Sequence, residues 1–147
     1  MSNYSLYTLP AAVVVAYYPH FIKGYLVSRQ TGKWNNISPR DNVIKAEKQM
    51  TQDVWRKAKR CESAHQNGLE TFPIFACSVI VANMAGVPFS TINFLSTSYV
   101  ISRVIYNFIY MNNESAGVAG LRTLTWSVSM GISLSLYILA ARKGLSP

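Results

Sequence analysis

The chain has 147 residues, half of them apolar, with 14 Lys/Arg against 6 Asp/Glu and a formal net charge of +8. That length suits one domain, residues 1–147. The charge is bunched, with nine of the 14 basic residues between Arg29 and Arg60, so it reads as loop asymmetry and no nucleic-acid partner is implied. Two cysteines, Cys61 and Cys77, are too few for a disulfide framework, and their spacing matches no metal site.

Four apolar stretches follow in chain order. Tyr4–Val27 carries only His20 and Lys23 as polar ionisable groups, and nothing in it resembles a cleavable signal peptide. Leu69–Val87 has one acid, Glu70; Pro88–Met111 has one base, Arg103; Leu121–Ala141 has one base, Arg122, at its start. Each approaches the roughly 20 residues an α-helix needs to cross a hydrocarbon core of about 30 Å. Helices also satisfy their own backbone groups in lipid. The expected fold class is therefore an all-α membrane protein, a four-transmembrane-helix bundle. A soluble helical bundle is the alternative that four such runs argue against.

Between the first two stretches, residues 28–62 hold nine Lys/Arg against four Asp/Glu, which places this loop in the cytosol. Four spans then put both termini outside the cytosol and the loop after Met111 back inside it. The sequons at Asn36 and Asn113 both fall on the cytosolic side, so no glycan is expected. Asn35–Pro39 reads as a turn. From Asp41 no Gly or Pro intervenes until Gly68, which predicts one long helix running from Asp41 through Leu69 into the membrane.

Ionisable residues inside a membrane are costly and mark function by default. Glu70, Arg103 and Arg122 come from three spans, yet all fall in the cytosolic half; Arg103 lies roughly 12 Å deep at 1.5 Å per residue. Spacing groups them further. Arg60, Ser63, Asn67 and Glu70 share one helix face, as do Tyr99, Arg103, Tyr106 and Tyr110, and Arg122, Trp126, Ser129 and Ser133. These stripes describe a polar pocket open to the cytosol. The competing reading is helix packing through small and hydrogen-bonding residues, which suits Ser129, Ser133 and Tyr99. Arg103 and Glu70 could equally form a structural ion pair, and His65 could be a packing histidine.

At these residues the chain resembles a known family. Arg60-Cys-Glu-Ser-Ala-His-Gln-Asn67-Gly-Leu-Glu70 followed by Thr-Phe-Pro-Ile-Phe-Ala is similar to the second-helix signature of the MAPEG family, the membrane-associated proteins of eicosanoid and glutathione metabolism. Ser102-Arg103-Val-Ile-Tyr106-Asn-Phe-Ile-Tyr110 resembles its third helix, Leu121-Arg122-Thr-Leu-Thr-Trp126 the start of its fourth, and Asn35–Asp41 its first loop. The resemblance implies a homotrimer in endomembrane, such as the endoplasmic reticulum. It also implies glutathione bound between subunits near the cytosolic face, and a lipophilic substrate. By motif position, Asn67, Glu70, Arg103, Tyr106, Tyr110, Arg122 and His65 are the expected glutathione contacts. Arg122, Tyr110 and Tyr106 are the expected catalytic residues, and no metal is expected. Arg122 matches the arginine that holds the glutathione thiolate, a role that a permanently charged guanidinium suits.

Three positions depart from the pattern. Ser63 stands where glutathione-using members usually carry arginine, Trp126 where several carry tyrosine, and Tyr106 where one branch carries histidine. The expected function is a glutathione-dependent transferase, peroxidase or isomerase. A glutathione-independent isomerase or cyclase, using the Tyr106 and Tyr110 phenols, stays open. So does a non-catalytic lipid-binding protein.

Overall fold

A computed structural model describes residues 2–144. The described residues are helical, with no strand: α1 (Thr8–Thr31), α2 (Asn42–Lys45), α3 (Gln52–Met84), α4 (Phe89–Met111) and α5 (Ala116–Gly144), with 3-10 turns at Ser5–Tyr7, Pro39–Asp41 and Glu47–Gln49. The four long helices form a bundle in which α3 and α4 are central. Each of these two packs against α1, against α5 and against the other.

Small residues let α1 and α3 approach. A Cβ on Gly68 would sit 2.9 Å from the Ala16 Cβ and 3.1 Å from its Cα, so the two backbones meet where α3 has no side chain and α1 has only a methyl to hold them apart. Ala12, Ala16, Ala64 and Thr71 continue this buried seam. Further along, Phe75 of α3 stacks on Tyr99 of α4 with ring centroids 3.7 Å apart, in a core completed by Val79, Ala82, Val87, Ile92 and Leu136. Tyr99 therefore serves packing, and its hydroxyl donates to Thr71 Oγ1 at 3.4 Å. Gly32 (φ 70°) ends α1 and Gly86 (φ 71°) turns α3 into α4; both adopt the left-handed conformation that glycine takes without a Cβ penalty.

The segment from Asp41 to Thr51 differs from the expected continuous helix. After Asn42–Lys45 and the Glu47–Gln49 turn, the chain is extended at Met50 and Thr51, and α3 starts at Gln52. Burial decides this. Val43, Ala46 and Met50 pack on Val27 and Ala58, and the Trp55 indole donates to Val43 O at 3.0 Å. A straight helix would carry Val43 and Ala46 away from Val27. The Asn35–Pro39 turn does form. Asn42 clamps it, accepting from Asn35 N–H and donating to Asn35 O and Pro39 O. The loop before α5 is shorter than expected, because that helix begins at Ala116.

Large apolar side chains stand on the outside, and several serines are buried. Val14, Tyr18, Phe21, Phe94, Ile101, Val104, Phe108, Leu124, Leu134 and Ile138 are exposed, while Ser78, Ser96, Ser102, Ser129 and Ser133 are buried. Each of those serines donates to a carbonyl three or four residues earlier on its own helix. Ser129 and Ser133 thus fit the packing reading of their stripe. Among the described residues, α5 is the one helix long and apolar enough by itself to cross a membrane. Of the polar residues that dilute the other long helices, Lys23, Thr71, Ser102, Arg103 and Asn107 are buried between helices, whereas Ser63, Gln66 and Glu70 of α3 are exposed.

Candidate functional site

The expected site residues are delivered by three helices. On α3, Ser63, Gln66, Asn67 and Glu70 lie on the side opposite the Gly68 seam. On α4, Tyr106 and Tyr110 sit one turn apart, and on α5 Arg122, Thr123 and Trp126 complete the wall. Together these nine residues line a cavity of about 390 Å³. Asn67, Glu70, Tyr106, Tyr110 and Arg122 are therefore brought together as the sequence predicts. Ser63 and Trp126, the two departures, line the same wall.

Rings and guanidinium groups alternate beside the cavity. The Arg122 guanidinium carbon is 4.7 Å from the Tyr110 ring centroid, and Tyr110 meets Tyr106 edge to face at 5.5 Å. The Arg103 guanidinium carbon lies 4.2 Å from the Tyr106 centroid. Aromatic faces attract cations without neutralising them. Among the described residues, neither Arg122 nor Arg103 has an ion-pair partner, and Glu70 pairs with none. The Arg103–Glu70 ion pair does not form. The cavity thus presents one uncompensated cation, Arg122, and one uncompensated carboxylate, Glu70.

Arg103 and His65 sit elsewhere. Arg103 is 3% exposed and does not line the cavity; it lies behind the wall, donating from Nη2 to Asn67 Oδ1 at 2.9 Å. His65 occupies the adjacent strip of α3, where Nδ1 bonds to Ala16 O at 2.8 Å; the carbonyl can only accept, so Nδ1 donates. There, with Tyr17, His20, Lys23, Arg40 and Glu62, it lines a second cavity of about 650 Å³. Gln66 is the ridge between the two cavities and touches both. Arg60 stays out of the site: its Nε donates to Met111 O, and Glu114 pairs with it at 3.5 Å.

Sequence reasoning missed Gln66 and Thr123. Both were within reach, since Gln66 falls on the Ser63–Glu70 stripe and Thr123 adjoins Arg122. It also missed the half-buried Lys23–Glu62 pair at 3.3 Å, which joins residues 39 apart and leaves no local signal.

A carboxylate, two amides, two phenols and a guanidinium thus surround one open cavity on a helical bundle whose outer face carries many apolar side chains. The MAPEG family profile matches residues 7–142, and the chain belongs to that family of membrane proteins of eicosanoid and glutathione metabolism. No curated protein and no solved structure matches the chain.

Proposed function

We propose that this chain is a glutathione-dependent membrane enzyme, a transferase, peroxidase or isomerase acting on a lipophilic substrate, working as a homotrimer of four-span protomers in endomembrane. The observation that carries the reading is the convergence of Arg122, Tyr110, Tyr106, Asn67 and Glu70 on one cavity whose cation and carboxylate have no ion-pair partner among the described residues. That donor set suits a zwitterionic peptide thiol. Glu70 would receive an ammonium, Asn67 would hydrogen-bond the peptide, and Arg122 would face the sulfur.

Bound glutathione supplies a thiol that must ionise to attack an electrophile. Arg122 is the residue that favours the ionised form, because a guanidinium stabilises the thiolate more than the thiol. Tyr110 holds that guanidinium by its ring face, and the Tyr106 and Tyr110 hydroxyls are the donors available to an oxygen on the electrophile. The exposed apolar surface of α4 and α5 offers a lipophilic substrate a route from the bilayer.

The position of His65 supports an intersubunit site. One protomer presents Asn67 and Glu70 in one cavity and His65 in the next, with Gln66 between. A ligand held between two copies would meet the first wall of one and the α1/α3 wall of its neighbour. That second wall carries Arg40 and His65, cationic or protonatable groups of the kind missing at Ser63.

Titration calorimetry of glutathione into the purified full-length protein in lipid nanodiscs tests the reading. Saturable binding that is lost on Glu70→Gln supports it. No binding heat, together with turnover of a hydrophobic substrate, would favour the glutathione-independent alternative that Ser63 motivates.

A further inference from the structure

The sequence pattern makes Arg103 a ligand contact, but the geometry gives it different work. We propose that Arg103 is a positioning residue. It fixes the orientation of the Asn67 side-chain amide, so that the site presents a hydrogen-bond donor there and selects a ligand with an acceptor at that point. The proposal rests on the glutathione reading only for the ligand used to probe it.

A guanidinium has donors and no acceptor, so the amide atom it bonds must be the oxygen. Asn67 Oδ1 accepts from Arg103 Nη2 at 2.9 Å. Asn67 Nδ2 makes no bond to any described residue, and Asn67 lines the cavity. Its two protons are therefore what Asn67 offers a ligand. An unrestrained asparagine presents oxygen or nitrogen with a simple flip, and would accept a donor as readily as an acceptor.

Arg103 is itself held firmly. It is 3% exposed, lies over the Tyr106 ring and has no carboxylate partner among the described residues. Its second terminal nitrogen, Nη1, is buried without a partner. A buried guanidinium in that state has few bonds to spare, which makes the Asn67 bond costly to break and the amide hard to turn. The same arrangement would place a ligand carboxylate or peptide carbonyl against Asn67 Nδ2, within the field of an uncompensated cation behind it.

A double-mutant cycle on the full-length protein tests this, read as the glutathione dissociation constant. Asn67→Ala and Arg103→Met should each weaken binding about tenfold, the size of one lost hydrogen bond in a partly enclosed site. The double variant should be no weaker than Asn67→Ala by more than about twofold, because Arg103 then has no amide to orient. Asn67→Asp should also weaken binding, since a carboxylate keeps the Arg103 contact but has no donor to offer. Additive losses, or full affinity in Asn67→Asp, would overturn the assignment. A ligand-free readout separates failure of this idea from failure of the glutathione reading. With 15N-asparagine labelling, the Asn67 carboxamide, assigned by its loss in Asn67→Ala, should give one sharp pair of proton resonances in the parent. Arg103→Met should broaden or shift that pair, and Arg103→Lys should shift it less. An unchanged pair in Arg103→Met would overturn the assignment even where no glutathione binds.

Discussion

Under the proposed function, Arg122 is the residue on which the chemistry turns. Its guanidinium lies over the Tyr110 ring, with no carboxylate pairing with it among the described residues. Preorganised charge of this kind acts most strongly on developing anions where water is excluded. Arg122→Ala should slow turnover about 100-fold while trimer assembly persists. Arg122→Lys should recover only part of the rate, since an ammonium on a flexible stem lacks the planar fork. Equal turnover in parent and Arg122→Ala, at saturating glutathione, would make Arg122 an interface anchor. Cys61 is the contrasting case. Burial pushes its thiol up to about 11, despite the nearby cations Lys57, Arg60 and Lys23. The folded protein therefore keeps this proton after the unfolded chain has released it. The contribution to stability is complete below the ordinary thiol value and is lost as pH rises toward 11. Alkaline unfolding curves should show this loss in the parent and not in Cys61→Ala, and maleimide at neutral pH should leave Cys61 unmodified.

Among the elements, α3 has the most conflicting demands. Its Gly68 side must be bare to admit α1, and its Ser63–Glu70 side must be polar to line the cavity. Adding one methyl at Gly68 tests the first demand. Gly68→Ala raises helix propensity, yet the new Cβ would lie 2.9 Å from the Ala16 Cβ and 3.1 Å from the Ala16 Cα, where a backbone has to move. Overpacking should win, costing about 1–3 kcal/mol, read as a lower thermal midpoint in nanodiscs. A rise in midpoint would mean that α1 and α3 separate freely. The Lys23–Glu62 pair ties the same two helices about two turns nearer the basic loop.

For the whole molecule, the decisive property is the number of large apolar side chains left exposed on its long helices. Soluble monomers rarely expose contiguous apolar patches of more than a few hundred Å². On this bundle such side chains run along α1, α4 and α5, so lipid or further protomers must cover them. Native mass spectrometry from detergent should give a species at three times the 16.4 kDa chain mass. A monomer that binds glutathione at full affinity would exclude an intersubunit site and leave His65 without a part in it.

What local sequence could reach follows from where the signal lies. The long helices, the polar stripes and the convergence of Asn67, Glu70, Tyr106, Tyr110 and Arg122 were all legible, because apolar run length and three- or four-residue spacing are local properties of a helix. The span from Asp41 to Thr51 was not. Its composition permits a helix, and the burial of Val43, Ala46 and Met50 against Val27 and Ala58 is a contact between distant residues that outweighs local preference. Spacing put Arg103 on the correct face of α4 but could not say whether it touches a ligand or an amide. That depended on Asn67 standing 2.9 Å away on another helix. His65 was likewise grouped with Asn67 through the second-helix motif that both belong to, although a step of two residues turns a side chain by about 200° around a helix. Helical periodicity determined which residues share a face; only the packing of α1, α3, α4 and α5 decided what each face meets.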